Sequence, residues 1–163
     1  MFGNVPDVAN TLFYPSRQIV PGLWVGSAAD AQDSARARQR KIRLVVNCSK
    51  DIPATLASGT VTVLRVPIDD WTGEADVLLG HLPDAVQAID AALERGHGVL
   101  VHCYAGMQRS AAVVAAYLMW RHGYPAREAM KRVRLAKPEA FTPRPTFGKA
   151  LLRWQRALTA DQP

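Results

Sequence analysis

The sequence predicts a single α/β domain with a central, mostly parallel sheet that is flanked by helices. Two observations support this prediction: short apolar, β-branched segments alternate with longer segments of helical periodicity, and no repeat or linker interrupts the alternation. Strands that alternate with helices favour a parallel sheet, because each crossover helix covers one face of that sheet. The length of 163 residues suits one domain with a substantial core.

Local patterns predict the individual elements. Short apolar or β-branched runs predict strands at residues 23–25, 42–47, 61–66 and 99–102. Helical periodicity and helix boundary residues predict helices over residues 28–41, from Pro83 to Gly96, over 110–122, from Pro125 to before Pro138, and through Phe147, Leu151, Trp154 and Leu158. Residues 1–18 are interpreted as an N-terminal extension, 19–158 as the domain itself and 159–163 as a short tail.

Composition and charge narrow the class of protein. The net charge is +6, and residues 121–163 hold ten Lys/Arg against three acids, giving +7 for that part. This excess indicates either a solvated helical surface or a positive field that attracts acidic, phosphorylated substrates. No apolar run approaches the ~20 residues of a membrane span, and no secretory signal is recognisable. With only Cys48 and Cys103 present, we expect a reducing, intracellular and cytoplasmic location.

One segment, HCYAGMQRS at residues 102–110, carries most of the functional information. It lies between the apolar runs 99–101 and 111–120, which predicts a buried strand, a tight loop and a helix. Backbone N–H groups and the positive dipole end converge at a helix N-terminus, so this loop predicts an anion site that also favours a thiolate at Cys103. Free cysteines are usually inert core residues, but Arg109 adds a fork of donors suited to phosphate oxygens. The combination predicts nucleophilic attack on phosphorus.

The other residues of the loop have subsidiary predicted roles. Gly106 is expected to adopt a backbone conformation that other residues avoid. For Ser110 the simplest role is that of a helix cap, and His102 is expected to order the loop by hydrogen bonding. The remaining loop positions are Tyr104, Ala105, Met107 and Gln108, whose backbone is expected to surround a bound phosphate group.

Phosphoryl transfer to a cysteine also needs an acid that protonates the leaving oxygen. Asp69 and Asp70 follow a predicted strand and precede a loop, so either carboxyl group is a candidate. Glu74 and Asp76 are more distant alternatives. Two adjacent acids are also common as simple turn formers.

The segment matches H-C-x-x-G-x-x-R-[ST] at every fixed position and resembles the signature of the cysteine-dependent protein phosphatases. Residues 19–27, 66–70 and 115–119 are similar to further segments of the dual-specificity branch, and the resemblance spans about residues 19–158. It implies a protein tyrosine phosphatase-like fold and a phosphocysteine intermediate on Cys103. It also implies Asp70 rather than Asp69 as the general acid, and a Ser110 hydroxyl that stabilises the departing thiolate. No cofactor is implied, and the implied substrates are proteins phosphorylated on tyrosine and on serine or threonine.

Two features fall outside this pattern. Arg144 stands where the family often has an asparagine that braces the loop at residues 102–110, the phosphate loop. This leaves open how the loop is braced and whether Arg144 contacts substrate. Some relatives pair the nucleophile with a second cysteine in a reversible disulfide, which makes Cys48 a hypothetical redox partner of Cys103.

Two other functions are compatible with the sequence. A 5′-phosphatase acting on RNA fits the basic C-terminal part, although no aromatic platform for a single strand is recognisable. A non-catalytic phosphate-binding module would need neither thiolate nor acid. A metal site is not expected, because His102 and Cys103 are adjacent and no second pair of ligands follows a metal-binding spacing.

Overall fold

A computed structural model describes residues 15–54, 56 and 59–161 of the chain. Within these residues one five-stranded sheet has the strand order β1-β2-β5-β3-β4. The strands are β1 (Arg17–Val20), β2 (Leu23–Gly26), β3 (Ile42–Asn47), β4 (Thr62–Arg65) and β5 (Gly98–His102). β1 is antiparallel to β2, and the other neighbouring strands are parallel. The mostly parallel sheet predicted from the sequence is therefore confirmed.

Five α-helices accompany the sheet in the described part of the chain. They are α1 (Ser34–Gln39), α2 (Ala75–Glu94), α3 (Arg109–His122), α4 (Ala126–Ala136) and α5 (Gly148–Ala160). Two short 3₁₀ turns, Asp30–Gln32 and Thr72–Glu74, precede α1 and α2.

Alternate residues of the strands contribute to two separate cores, one on each face of the sheet. In β5, Val99 and Val101 belong to the larger core with α2, α3, α4 and α5, whereas Leu100 belongs to a smaller core that includes Ala37 of α1. In β3, Val46 and Val45 divide in the same way. Because successive side chains of a strand point to opposite faces, this pattern shows that helices cover both faces, as predicted.

Helix α3 lies at the centre of the larger core. Every residue from Ser110 to Met119 is buried, and a helix that is buried on all sides is typical of the middle of a domain. The Nε1 of Trp154 in α5 donates a hydrogen bond to the Ala116 carbonyl at 3.2 Å, a direct side-chain link between the two helices. The helix ends at Gly123, whose φ of 70° provides the left-handed cap that glycine favours. This central position holds the start of α3, and hence Arg109, in a fixed place.

The prediction of one helix over residues 28–41 was wrong. A 3₁₀ turn and the short helix α1 replace it, because Asp33 takes a non-helical conformation and caps α1. Its side chain accepts a hydrogen bond from the Arg36 backbone N–H at 2.9 Å. An aspartate at this position satisfies a free donor of the helix start, which outweighs the helical propensity of the surrounding alanines.

The prediction that Pro83 opens a helix was also wrong. Helix α2 begins eight residues earlier, at Ala75, and Pro83 lies in its interior. Leu78 and Leu82 continue the buried stripe that Val86 and Ile89 form further along. Burial of this additional apolar surface offsets the backbone hydrogen bond that a proline in the helix interior removes.

The ends of the domain differ slightly from the predicted limits. Arg17 and Gln18, assigned from the sequence to the extension, pair with Val25 and Trp24 in the sheet. Residues 1–14 of the predicted extension lie outside the described residues. At the other end, α5 includes Thr159 and Ala160, which the sequence analysis placed in the tail.

The register of the strands brings four loops to one edge of the sheet. Gly26 of β2 and Asn47 of β3 both pair with His102 of β5, and Arg65 of β4 pairs with Asn47. The loops that follow these strands therefore start side by side. Ligand sites of open α/β sheets form at this carboxyl edge.

Candidate active site

Cys103 follows β5 directly and lies at the base of the loop that leads into α3. Its side chain is buried, with 3% of the residue exposed. The Gly106 backbone N–H donates a hydrogen bond to the Cys103 Sγ at 3.3 Å, and the Ser110 Oγ lies 3.2 Å from the same sulfur. The sulfur thus lies at the N-terminus of α3, next to an N–H and a hydroxyl group. The helix cap expected at Ser110 is not formed, because the N-cap of α3 is Gln108 and Ser110 is already the second residue of the helix.

Glycine is needed at position 106 because of both the backbone conformation and the close packing there. Its φ is 73°, and a Cβ atom there would lie 2.6 Å from the carbonyl oxygen of Gly26. The strand β2 thus packs directly against the phosphate loop. A second contact fixes the same junction, because the Ala28 N–H donates to the Tyr104 carbonyl at 3.0 Å.

Arg109, the first residue of α3, reaches across to the loop after β4. One terminal N–H donates to the Ile68 carbonyl at 3.1 Å. The buried Nε has no hydrogen-bond partner among the residues that the structure describes. Because an unsatisfied buried donor is costly, this nitrogen is suited to an oxyanion held above Cys103.

Gln108 braces the loop, a role that the sequence analysis did not assign to it. Its Nε2 donates to the carbonyls of Thr142 and Arg144, at 2.9 and 3.0 Å, and its Oε1 accepts from the Thr146 N–H at 3.0 Å. The bracing left open by the absence of the family's asparagine is therefore provided from within the phosphate loop itself. No sequence signal indicates it, since the partners are 34 to 38 residues away.

A cleft of about 680 Å³ opens over the sulfur. Its walls come from the loop after β4, the phosphate loop and the segment before α5. The lining residues are Asp70, Thr72, Cys103, Tyr104, Ala105, Met107, Gln108, Arg109, Thr142, Pro143, Arg144, Pro145 and Thr146. Five of the six predicted phosphate-loop residues thus line the cleft, while Gly106 lies beneath it against β2.

The candidate acids have different surroundings. Asp70 lines the cleft, whereas Asp69 does not. The Asp69 carboxylate forms an ion pair with Lys50 at 2.9 Å, and Glu74 contacts the same lysine at 3.1 Å. Asp76 is paired with Arg153 at 2.7 Å. Asp70 is therefore the one of these four candidate carboxylates that lines the cleft.

His102 lies behind the loop, buried at the end of β5. Its Nδ1 is 3.3 Å from the Cys103 carbonyl oxygen, consistent with the ordering role predicted from the sequence. Burial lowers the pKa of His102 to about 4. The ring is therefore uncharged near neutral pH.

Cys48 directly follows the neighbouring strand β3 and lies beside the start of the phosphate loop. It follows Asn47, the partner of His102 in the register of β3 and β5, and its N–H donates to the His102 carbonyl at 2.8 Å. Both cysteines are free. Burial raises the pKa of the Cys48 thiol, and the nearby Cys103 contributes in the same direction. A disulfide between the two residues stays a prediction.

Lys137 is a further residue near the site that sequence patterns did not single out. It is fully buried; its Nζ donates to the Pro15 carbonyl at 3.1 Å and forms an ion pair with Glu139. Its Cε lies 3.3 Å from the place where a Gly106 Cβ would be. The lysine thus packs beneath the phosphate loop, and only the fold brings Pro15 to it.

Two kinds of feature are absent from the described residues. No group of three or more His, Cys, Asp or Glu side chains in residues 15–54, 56 and 59–161 is arranged to hold a metal ion. None of the helices described is both long and apolar enough to cross a bilayer.

Comparison with known proteins agrees with this geometry. Residues 23–157 match the family described as "Dual specificity phosphatase, catalytic domain". Human dual specificity phosphatase 28 is 38% identical over 147 residues, which cover 90% of this chain and 81% of the relative. The phosphatase Mpk3 of Drosophila melanogaster is 36% identical over 86% of this chain, which spans only 34% of that longer relative.

Solved structures show the same similarity in three dimensions. The crystal structure of human dual specificity phosphatase 28 has a TM-score of 0.81 at 36% identity, covering 89% of this chain and 95% of the other. A mouse putative dual specificity phosphatase, crystallised as a complex with zinc tungstate, has a TM-score of 0.81 at 35% identity, covering 90% and 89% of the two chains. The chain therefore belongs to the dual specificity phosphatase family and is a cysteine-dependent protein phosphatase.

Proposed function

We propose that Cys103 is the nucleophile of this phosphatase and that Arg109 and the backbone of residues 104–109 bind the transferred phosphoryl group. The observation that carries the proposal is the position of the Cys103 Sγ. It lies 3.3 Å from the Gly106 nitrogen, below a cleft that Arg109 and Asp70 also line. A thiolate there faces donors suited to the charge that builds on the phosphoryl oxygens during transfer.

In the first step the Cys103 thiolate attacks phosphorus, and an S–P bond forms as the P–O bond to the substrate side chain breaks. Asp70 gives its proton to the leaving oxygen, so that a neutral tyrosine, serine or threonine departs. The assignment to Asp70 is supported by its place in the cleft and by the ion pair that holds Asp69 on Lys50. The Arg109 guanidinium, tied to the Ile68 carbonyl, is positioned by the same loop that carries Asp70.

In the second step water attacks phosphorus and the S–P bond breaks. Asp70, now a carboxylate, accepts the proton of the water. The Ser110 hydroxyl, 3.2 Å from the sulfur, donates a hydrogen bond to the departing thiolate. Inorganic phosphate is released and the resting thiolate is restored.

The proposed substrates are phosphotyrosine and phosphoserine or phosphothreonine in proteins. Tyr104 at the cleft is 43% exposed, and an open cleft of this kind is accessible to both long and short phosphorylated side chains. We place the protein inside the cell, because a thiolate nucleophile beside a second free cysteine needs reducing conditions.

Hydrolysis of an aryl phosphate and of phosphopeptides by the wild type and by Cys103→Ser tests the proposal. The variant should lose hydrolysis of every substrate, because serine is not ionised at this position, yet it should still bind the phosphopeptides. Cys48→Ser is the matched control and should keep activity under reducing conditions. Turnover by Cys103→Ser at a rate close to that of the wild type would show that Cys103 is not the nucleophile.

A further inference from the structure

Arg144 has an unusual position for a charged residue of this protein. It lines the catalytic cleft together with Cys103 and Asp70, and it is exposed. Its guanidinium has no hydrogen bond or ion pair with any residue of the described segments 15–54, 56 and 59–161. The cleft therefore contains a cation that the fold does not neutralise, in addition to Arg109.

Three other cations near the site, by contrast, form ion pairs with carboxylates. Lys50 contacts Asp69 and Glu74, which lie between β4 and α2. Arg153 pairs with Asp76 near the start of α2, and Lys137 pairs with Glu139 beneath the phosphate loop. Arg144 differs from all three because the cleft itself is the place where an anion would meet it.

The backbone of Arg144 is held firmly against the phosphate loop. Its carbonyl accepts a hydrogen bond from the Gln108 Nε2 at 3.0 Å, and Pro143 and Pro145 restrict the backbone on either side. Because Gln108 belongs to the loop that surrounds the phosphate, the Cα of Arg144 keeps a fixed place relative to Cys103. A side chain mounted in this way loses less conformational freedom when it binds a ligand than one on a flexible loop does.

We propose that Arg144 forms a second oxyanion subsite, so that the phosphatase prefers substrates with another anionic group close to the phosphorylated residue. The inference rests on the proposed function, because the subsite is defined relative to a phosphate bound over Cys103. A guanidinium presents a planar set of donors that matches the two oxygens of a carboxylate or a phosphate. The second group is therefore either an acidic side chain or a second phosphorylated residue.

Binding measurements in the Cys103→Ser background test the subsite without turnover. Three sets of synthetic peptides share a central phosphotyrosine in an alanine and glycine context. One set carries no other charge, one carries glutamate and one carries phosphothreonine, each placed one or two residues before or after the phosphotyrosine. Dissociation constants are measured by calorimetry for the Cys103→Ser protein and for the same protein with Arg144→Gln, Arg144→Lys or Lys149→Gln added.

With Arg144 present, the best doubly charged peptide should bind about 5- to 10-fold more tightly than the singly phosphorylated one. Arg144→Gln should abolish this ratio, and Arg144→Lys should retain part of it. Lys149→Gln removes the same charge from an exposed position outside the cleft and should leave the ratio unchanged. Raising the salt concentration should reduce the ratio, because the subsite is open to solvent.

Two results would overturn the inference: no preference for a second anion, or an equal preference in the Arg144→Gln protein. A gain with phosphothreonine alone assigns the subsite to doubly phosphorylated substrates, whereas an equal gain with glutamate assigns it to acidic sequences. Hydrolysis of an aryl phosphate by the wild type is measured separately. Absence of this hydrolysis would count against the proposed function. The ratios of the dissociation constants test Arg144 alone.

Discussion

Asp69 and Asp70 are adjacent in the chain but have different chemical surroundings. Asp69 is held by Lys50, while Asp70 lines the cleft above the sulfur. The sequence pattern indicates both residues as candidate acids, and the resemblance to the family implies Asp70. The contact that separates them comes from Lys50, nineteen residues earlier in the chain, and depends on how β3 and β4 are packed.

Replacing Asp70 by asparagine should lower kcat by about 10²- to 10⁴-fold for phosphoserine peptides, because the alkoxide then leaves without a proton. The loss should be smaller for a nitrophenyl phosphate, whose leaving group is stable as an anion. Steady-state kinetics on both substrates measure this difference. Asp69→Asn is the matched control and should retain most of the activity; a loss as large as that of Asp70→Asn would transfer the acid role to Asp69.

At the scale of single elements, the pairing of β3 with β5 has a chemical consequence. It places Cys48 immediately beside the end of β5, which Cys103 follows directly. Burial keeps Cys48 in the uncharged thiol form, so it is not itself a primary target of oxidants. Cys103 lies beneath an open cleft and meets the oxidant first.

Mild peroxide should therefore convert Cys103 to a sulfenic acid, which then condenses with the Cys48 thiol, releasing water and forming a disulfide. Activity should return fully after a dithiol reductant is added. In Cys48→Ala, the same treatment should cause an irreversible loss, because the sulfenic acid is oxidised further. Mass mapping under non-reducing conditions checks the link, and its absence in the wild type would contradict the prediction.

The segment before α5 illustrates a second property of elements, the bracing of one loop by another. Gln108 uses both ends of its amide to hold residues 142–146 against the phosphate loop. Without this amide, two carbonyls and one N–H lose their partner. Unfolding free energy should consequently fall by about 1–3 kcal/mol.

In Gln108→Ala we expect kcat/KM to fall about 10-fold as well, because the loop that orders the phosphoryl group is less well positioned. Chemical denaturation and steady-state kinetics measure the two effects. Gln155→Ala is a suitable control, since the Gln155 Oε1 accepts a hydrogen bond from the Ala126 N–H at 2.7 Å, outside the cleft. It should lower stability without lowering kcat/KM; equal losses of activity in both variants would refute a specific role for Gln108.

At the scale of the whole molecule, the buried His102 links folding to pH. Its pKa is lowered to about 4, mainly by desolvation, whereas an unfolded histidine titrates near ~6.5. Between these values the unfolded chain binds a proton that the folded protein does not. The stabilisation is therefore complete above about pH 6.5 and is lost as the pH falls towards 4.

The unfolding free energy should fall by about 3 kcal/mol between pH 7 and pH 4 because of His102 alone. Urea denaturation of the wild type and of His102→Gln over this range isolates the contribution, since the other titrating groups are common to both proteins. The difference in stability between the two proteins should change with pH in this window. A difference that is constant from pH 7 to pH 4 would contradict the assignment.

Much of the architecture follows from local pattern. The strands β2 to β5, the buried helix α3 and its end at Gly123 are recognisable because burial imposes a period on apolar residues and because glycine alone readily adopts the left-handed cap. Strand β1 was not predicted from the sequence. The limits of α1 and α2 are not recognisable in this way. Asp33 divides one predicted helix. The buried residues Leu78 and Leu82 extend another predicted helix to positions before Pro83.

The sequence by itself determined the candidate nucleophile, its arginine and the loop between them, because these groups are contiguous and their spacing follows from the chemistry of a strand, a turn and a helix start. Only the tertiary structure decided which acid lines the cleft, what braces the loop and that Arg144 lines the same cleft. Those properties depend on contacts between residues such as Gln108 and Arg144, which are distant in the chain. Local sequence patterns carry no information about such distances, because folding alone brings the partners together.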